Sequence, residues 1–487
     1  MNHGLIAMLA QEAVDAAAKA TSLPTLLALF AVGALVVLGI ARFVSTIHLV
    51  LGFACTVSMW AIGYVSMMAP GLWIGEALFA ATLAVPIIFG ALARRASASP
   101  ITVGLVSAFA NTLIIGAFLR DEQGGSMLVP VLYIAGLYAA SAGLAAFGGW
   151  LARGARPIAL PATAGLFAVV AAATVFILLV TGGLVTGLES GLAVPDWPNS
   201  FGHNMLLYPI SEMKGGIYYE HAHRLFGMLV GTTALVLVSV VFREERAPWI
   251  RAVALAFLTM VCVQGLLGGL RVTGRLTTAT AGIELQPSTL LAIVHGMFGQ
   301  IVFATACVIA VVTSKTWRNA VPAEGIADAS RVRAMPVVLV GALLIQLFLG
   351  ASYRHLQIPP HDGQSAVHPA WPIWGHIGGA LLILVIAVMT GAIASSRARE
   401  IKPVRILGKG LVHTVGLQLA LGIGALVVVL LRVDEKIPGY EVLITSAHQA
   451  LGALLLAMSA MLAAFSLRMV ASGAAVAEPI TPTASKA

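Results

Sequence analysis

Thirteen stretches of about twenty residues, nearly free of charge, limit what this chain can become. That is the length an α-helix needs to cross the hydrocarbon core of a bilayer, where only helices and closed barrels satisfy their own backbone polar groups. The stretches lie near 23–43, 46–68, 72–93, 100–120, 126–152, 160–188, 221–242, 250–270, 289–313, 335–352, 372–394, 406–431 and 444–469. Of the 487 residues, 59% are hydrophobic and 10% charged, against about 25% charged in a soluble domain. A water-soluble enzyme is excluded. The expected fold is an all-α polytopic membrane protein with about 13 transmembrane helices.

A net charge of +8 could suggest a nucleic-acid partner, but the charges are placed otherwise. Lys and Arg gather at Arg42, Arg94/Arg95, Arg153/Arg156, Arg243/Arg246/Arg251, Lys315/Arg318/Arg331/Arg333 and Arg397/Arg399/Lys402/Arg405/Lys409. These are alternate loops, the pattern the positive-inside rule produces. It predicts an inner (cytoplasmic) cell membrane protein with its N-terminus and the long 189–220 loop outside and its C-terminus in the cytoplasm. The bilayer is the expected partner, and nucleic acid is not. Residues 1–20 hold Glu12, Asp15 and Lys19 and do not read as a signal peptide. Cys55, Cys262 and Cys307 all lie in apolar runs, so neither a disulfide nor a thiolate metal site is expected.

Arg153-Gly-Ala-Arg-Pro157 separates five helices from eight. Residues 1–155 form an N-terminal block in which His48, Glu76 and Asn111 are isolated. The later block contains a repeat. His223 and His295 are 72 residues apart, as are His376 and His448, and Gln264 in VQGLLGG recurs as Gln418 in LQLALGIG. The expectation is two duplicated four-helix bundles, over 156–320 and 321–470, followed by a disordered tail over 471–487.

Ionisable residues inside a membrane are costly and point to function. A single intramembrane histidine is often only a packing residue, which is the reading for the unrepeated His413. Four at a repeated separation call for a ligand. A neutral imidazole is the commonest metal ligand, and two on facing helices without a thiolate suit the axial positions of haem iron. Gly227, Gly296, Gly299, Gly375, Gly378, Gly379 and Gly452 lie close to the histidines and would admit a flat macrocycle. A zinc or copper site is the weaker alternative. The halves differ at one position: Glu220 lies three residues before His223, on the same helix face, and its counterpart is Ile373. An acid in one half suggests chemistry there and electron transfer in the other; alternatively, Glu220 caps its helix. Arg224 can pair with a haem propionate or with Glu220, and His221 points elsewhere, toward a loop or interface. Asp196 and Trp197 sit where a loop could fold back over a haem edge.

The combination TGGLVTGLESGLAVPDWPNSFG (181–202), Glu220-x-x-His223-Arg224, Gln264-x-x-x-Gly268-Gly269 and the three later histidines resembles haem A synthase over roughly residues 160–470. The resemblance implies that haem O is the substrate and that one of its methyl groups is oxidised to a formyl group, giving haem A for terminal oxidases. It implies Glu220 as the catalytic acid, His223 with His295 as ligands of the substrate haem, and His376 with His448 as ligands of a resident haem b. An electron acceptor is also implied, though not identified. Many members carry a cysteine pair in an outer loop, whereas Val194 stands in AVPDWP here and no loop cysteine exists. The competing reading is a non-enzymatic electron-transfer or haem-transfer protein with two permanent haems. His203, His355, His361 and His368 fall in outer loops, either lining a site or as ordinary loop residues. The N-terminal block is left as a packing module, a docking site for haem O synthase or a cytochrome oxidase subunit, or a vestigial fusion.

Overall fold

A computed structural model describes residues 23–69, 71–114, 128–161, 163–273, 289–356, 369–432 and 437–472. The tail beyond 472, residues 1–22 and the loop histidines His361 and His368 lie outside them. The helices are α1 (Leu23–Phe43), α2 (Thr46–Met67), α3 (Trp73–Arg95), α4 (Pro100–Thr112), α5 (Leu128–Leu151), α6 (Ala164–Gly187), α7 (Gly216–Glu244), α8 (Pro248–Val272), α9 (Thr289–Val312), the short α10 (Lys315–Arg318), α11 (Ala329–His355), α12 (Ala370–Arg397), α13 (Lys402–Leu430) and α14 (Gly439–Met469). Eleven of the described helices are long and apolar enough to cross a membrane, and the described part of α1 adds a shorter apolar stretch. The multi-pass all-α fold is therefore as expected. The expected span 100–120 is described as helix only to Thr112, and the described part is too short to span.

Local chemistry starts several helices. The Ser99 hydroxyl accepts from the Thr102 amide at 3.3 Å, with Pro100 in the first turn of α4, and Thr163 caps α6 through the Leu166 amide. Four helices run past their apolar stretches. α7 begins at Gly216 rather than 221, α11 at Ala329 rather than 335, α13 at Lys402 rather than 406, and α14 at Gly439 rather than 444. Hydropathy marks the part of a helix inside lipid, but backbone hydrogen bonding continues into the polar boundary.

In the later block, α6 packs on α7, α7 on α8, α8 on α9 and α9 on α6, closing a ring. Helices α11, α12, α13 and α14 close a second ring the same way. The rings meet through α6, α9, α11 and α14, which places α9 and α14 side by side at the centre.

The first five helices do not stand apart. α1 lies on α7, and α2 on α6 and α7. Arg243, at the end of α7, donates to the carbonyls of Ala41 at 2.6 Å and Val44 at 3.0 Å, and to the Thr46 hydroxyl. Glu244 accepts from the Ala164 amide at 2.7 Å and from the Thr46 hydroxyl. At the other end of the contact Tyr64 stacks on Tyr218 with ring centres 5.3 Å apart, and Trp60 meets Phe226 edge-on. One continuous hydrophobic core thus includes Phe53 and Tyr64 of α2 along with Phe167 and Phe226.

Within the N-terminal block, α3 and α5 approach closely enough that a Cβ at Gly90 or Gly148 would collide with the backbone of the other helix. Small residues are how membrane helices reach such contact. Gly148→Val is expected to lower the thermal midpoint, followed by circular dichroism in detergent, by the equivalent of about 1–3 kcal/mol. Gly136→Ala, on the same helix where a Cβ meets nothing within 4 Å, should leave it unchanged.

Candidate functional site

His223, His295, His376 and His448 lie near the N-terminal ends of α7, α9, α12 and α14. Each imidazole packs against a glycine of the preceding ring helix. A Cβ built on Gly182 would stand 3.0 Å from Cε1 of His223, one on Gly268 3.1 Å from His295, one on Gly350 2.9 Å from His376, and one on Gly422 2.9 Å from His448. These partners were not among the glycines singled out by nearness in sequence. Of that set, Gly299, Gly379 and Gly452 abut the side chains of Gln264, Gln346 and Gln418, Gly375 abuts Leu349, and Gly227, Gly296 and Gly378 face open space. The signal was present in the repeat, since Gly268 and Gly422 share the offset of Gln264 and Gln418.

Glutamines hold three of the four histidine segments. Gln264 Nε2 donates to the His295 carbonyl at 2.8 Å, and Gln346 Nε2 donates to the His376 carbonyl at 2.7 Å and lies 3.1 Å from its Nδ1. Gln418 Nε2 is 3.4 Å from His448 Nε2. For His223 the Thr181 hydroxyl takes this place, 3.0 Å from Nδ1. An Nδ1–H donated to the Thr181 hydroxyl in His223, or to the Gln346 carbonyl at 3.2 Å in His376, fixes the ring and leaves Nε2 for a ligand.

The residues fit a macrocycle better than a bare metal ion. The His376 and His448 ring centres are 6.2 Å apart, and two imidazole–metal bonds of about 2 Å each place facing ring centres about 6 Å apart. Among the described residues no cluster of three or more His, Cys, Asp or Glu side chains could hold a metal. Two imidazoles alone fill two coordination positions, and a porphyrin brings the other four. The halves also share a buried pair of unpartnered atoms: Nδ1 of His295 with Oε1 of Gln264, and Nδ1 of His448 with Oε1 of Gln418. His413 is exposed in the structure, its Nδ1 bonded to the Lys409 carbonyl of its own helix, so it does not serve the packing role expected of it.

Glu220 is 4% exposed and lies beyond the first turn of α7, whose N-cap is Gly215, so it does not cap its helix. Its Oε2 accepts from the Val194 amide at 2.8 Å, and its Oε1 pairs with Arg224 Nη2 at 2.8 Å. Arg224 thus makes the pairing with Glu220. The remaining terminal N–H groups of Arg224 go to the carbonyls of Val194, Asp196 and Asn199, at 2.8, 2.7 and 3.0 Å.

The loop that Arg224 grips is folded back over the helix ends. Asn199–Ser200 and His203–Asn204 form a hairpin turned by Phe201 and Gly202, both at positive φ, as a two-residue hairpin turn demands. The Asp196 carboxylate accepts from both turn amides. Trp197 lies on Gly269, where a Cβ would fall inside the indole. His221 is buried, with Nδ1 3.1 Å from the Ser200 hydroxyl and its ring against Tyr208, which makes it the loop-interface residue expected. His203 packs edge-on against Tyr208. His355 closes α11 and comes within electrostatic reach of His295 and Arg271, so it belongs to the site end rather than to a free loop.

The protein is thus an all-α multi-pass membrane protein with two pairs of imidazoles at one end of its bundles. Residues 165–358 match the model of the COX15-CtaA family, the cytochrome oxidase assembly protein, and that segment carries the family's sequence. The match spans α6 to the end of α11, including Glu220, His223 and His295, while His376 and His448 lie beyond it. No curated protein and no solved structure matches the chain.

Removing one partner of a buried ion pair leaves an uncompensated charge. Arg224→Met is expected to cost about 3–5 kcal/mol, read from tryptophan fluorescence on denaturation in micelles. Glu220→Gln in the same chain should restore much of the loss.

Proposed function

We propose that this protein is a haem A synthase, oxidising a methyl group of haem O to a formyl group for the assembly of a terminal oxidase. The observation that carries the reading is one arrangement built twice, a pair of glycine-backed imidazoles, with a buried carboxylate three residues before a histidine (Glu220 before His223) in only one copy. The matched family supports a role in oxidase assembly.

In this reading His223 and His295 bind the iron of the substrate haem O, and His376 and His448 bind a resident haem b. The haem b, when bound, supplies a one-electron redox centre through which electrons leave toward an external acceptor. Glu220 is the catalytic residue. Arg224 and the Val194 amide fix its two oxygens, so that the carboxylate is aimed without a search and can take up a proton released from the substrate. Thr181 and Gln346 set the ring orientations of His223 and His376. The closed loop over 194–204 limits water at this end. We place this end on the outer face of the cell membrane, where protons reach bulk water. Residues 156–320 then form the substrate half and 321–470 the electron-carrying half.

Haem extracted from protein made with a haem O supply is expected to contain haem b together with haem O, haem A or a hydroxylated intermediate. Haem b alone in every preparation would favour a permanent two-haem carrier. Glu220→Gln should retain both haems and lower conversion at least about 100-fold, the scale of a lost general base. Conversion at the wild-type rate would remove Glu220 from the chemistry. His448→Ala should lose the resident haem signal and His223→Ala the substrate signal; both signals persisting in either variant would break the pairing.

A further inference from the structure

The end of the bundles opposite the histidines is made of helix ends rich in Lys and Arg, and many of these charges are committed. Arg243 holds the first helices, Arg333 donates to the carbonyls of Leu467 and Val470, and Arg251 Nε donates to the Glu245 carbonyl at 2.7 Å. Arg331 and Arg397 both face Asp328. At the same end a cleft of about 340 Å³ opens where the two halves meet. Its walls include Glu245, Trp249 and Ile250 from the corner between α7 and α8, Trp317 and Arg318 of α10, and Arg468 in the last turn of α14.

Two polar groups of this cleft are left short of partners. Glu245 is 4% exposed, and its Oε1 accepts no hydrogen bond among the described residues, although Arg318 Nη1 stands 3.1 Å away as an ion pair. Arg468 is only partly exposed, and no hydrogen bond or ion pair joins it to another described residue. A buried carboxylate oxygen without a donor is costly, and a guanidinium has five N–H groups to place. A ligand that fits must answer both. Two guanidiniums against one carboxylate leave one positive charge in the cleft, which calls for a single negative charge, and the planar guanidinium fork matches a phosphate. The open side of Glu245 Oε1 calls for an uncharged hydroxyl donor close to that phosphate.

The two indoles set the depth. Trp collects where hydrocarbon gives way to headgroups. Trp249 is 49% exposed, and Trp317 packs on Phe465 of α14. Phe242 and Leu467, on the helices that end at the cleft, expose apolar surface for acyl chains. A phospholipid headgroup is held at this depth by its own chains, whereas a soluble anion is not.

We propose that the cleft binds one anionic phospholipid of the phosphatidylglycerol type, its phosphate on Arg468 and Arg318 and a glycerol hydroxyl on Glu245 Oε1, so that the lipid bridges the two halves. Basic pockets between membrane helices hold anionic headgroups in this way. Phosphatidylethanolamine brings its own ammonium and leaves the charge of the cleft unmatched. The site draws on none of the residues assigned to haem, so it stands or falls apart from that reading.

Full-length protein is stripped of lipid in uncharged detergent, and native mass spectrometry counts what it takes up from micelles containing phosphatidylglycerol, phosphatidylmethanol or phosphatidylethanolamine with identical chains. Wild type should bind one phosphatidylglycerol about 10- to 100-fold tighter than phosphatidylethanolamine, the range of one hydrogen bond to a charged group. Phosphatidylmethanol has the same charge without the glycerol hydroxyls and should fall between them; parity with phosphatidylglycerol would refute the contact to Glu245. Arg468→Gln should erase the preference. Arg246→Gln removes the same charge from an exposed neighbour outside the cleft and should keep it. Equal losses in the two variants would mean diffuse attraction and overturn the site. A wild type without preference, or displacement of the lipid by equimolar inorganic phosphate, would overturn it too. Where Arg468→Gln does not fold, Arg468→Lys keeps the charge and should retain part of the preference; a lysine variant that binds the three lipids alike counts against the site.

Discussion

An imidazole inside a membrane-spanning bundle has no water to satisfy it, so each of its nitrogens needs a partner from protein or ligand. The structure is organised around four such rings. Each is backed by a glycine, which removes the side chain that would otherwise fill its place, and is steadied by an amide or hydroxyl one helix away. Nδ1 of His295 and of His448 remain without a partner among the described residues. Buried polar atoms of this kind are rare in folded proteins, and these recur at repeat-related positions.

The two four-helix rings are equivalent scaffolds, and small differences distinguish them. Glu220 has Ile373 as its counterpart, and Thr181 serves His223 where Gln346 serves His376. The N-terminal helices add to this asymmetry, because α1 and α2 pack on α6 and α7 of the first half. Arg243 and Glu244 tie them there with directed hydrogen bonds, and the Tyr64–Tyr218 stack lies two residues from the Glu220–His223 turn. What reads in sequence as a separable block is, in packing terms, a wall of the first half.

Much of the fold was legible because lipid imposes a simple rule. A span must be apolar for about twenty residues, and the positions of the membrane helices followed from that. The His repeat was legible because duplicated sequence keeps its spacing. Other features were hidden for physical reasons. Helix ends that extend into the polar boundary, as at Gly216 and Ala329, carry no hydropathy signal. Contacts between separate segments, such as Gly182 on His223 or Trp197 on Gly269, join residues that the sequence keeps far apart. Glycines chosen for lying near a histidine in the chain mostly face glutamine side chains or open space, since a helix turns neighbouring positions away from one another. The committed donors of Arg224 depend on where a loop folds back, which no periodicity encodes.

That loop has a consequence for traffic. Arg224 grips it at three carbonyls, the Glu220 carboxylate at the Val194 amide, and Trp197 is seated on α8. A cover fastened at so many points opens only by breaking all of them together. A bulky, oily guest bound beneath it has its cheapest path sideways, between helices and directly from the lipid, so that it need never be dissolved in water on the way in or out.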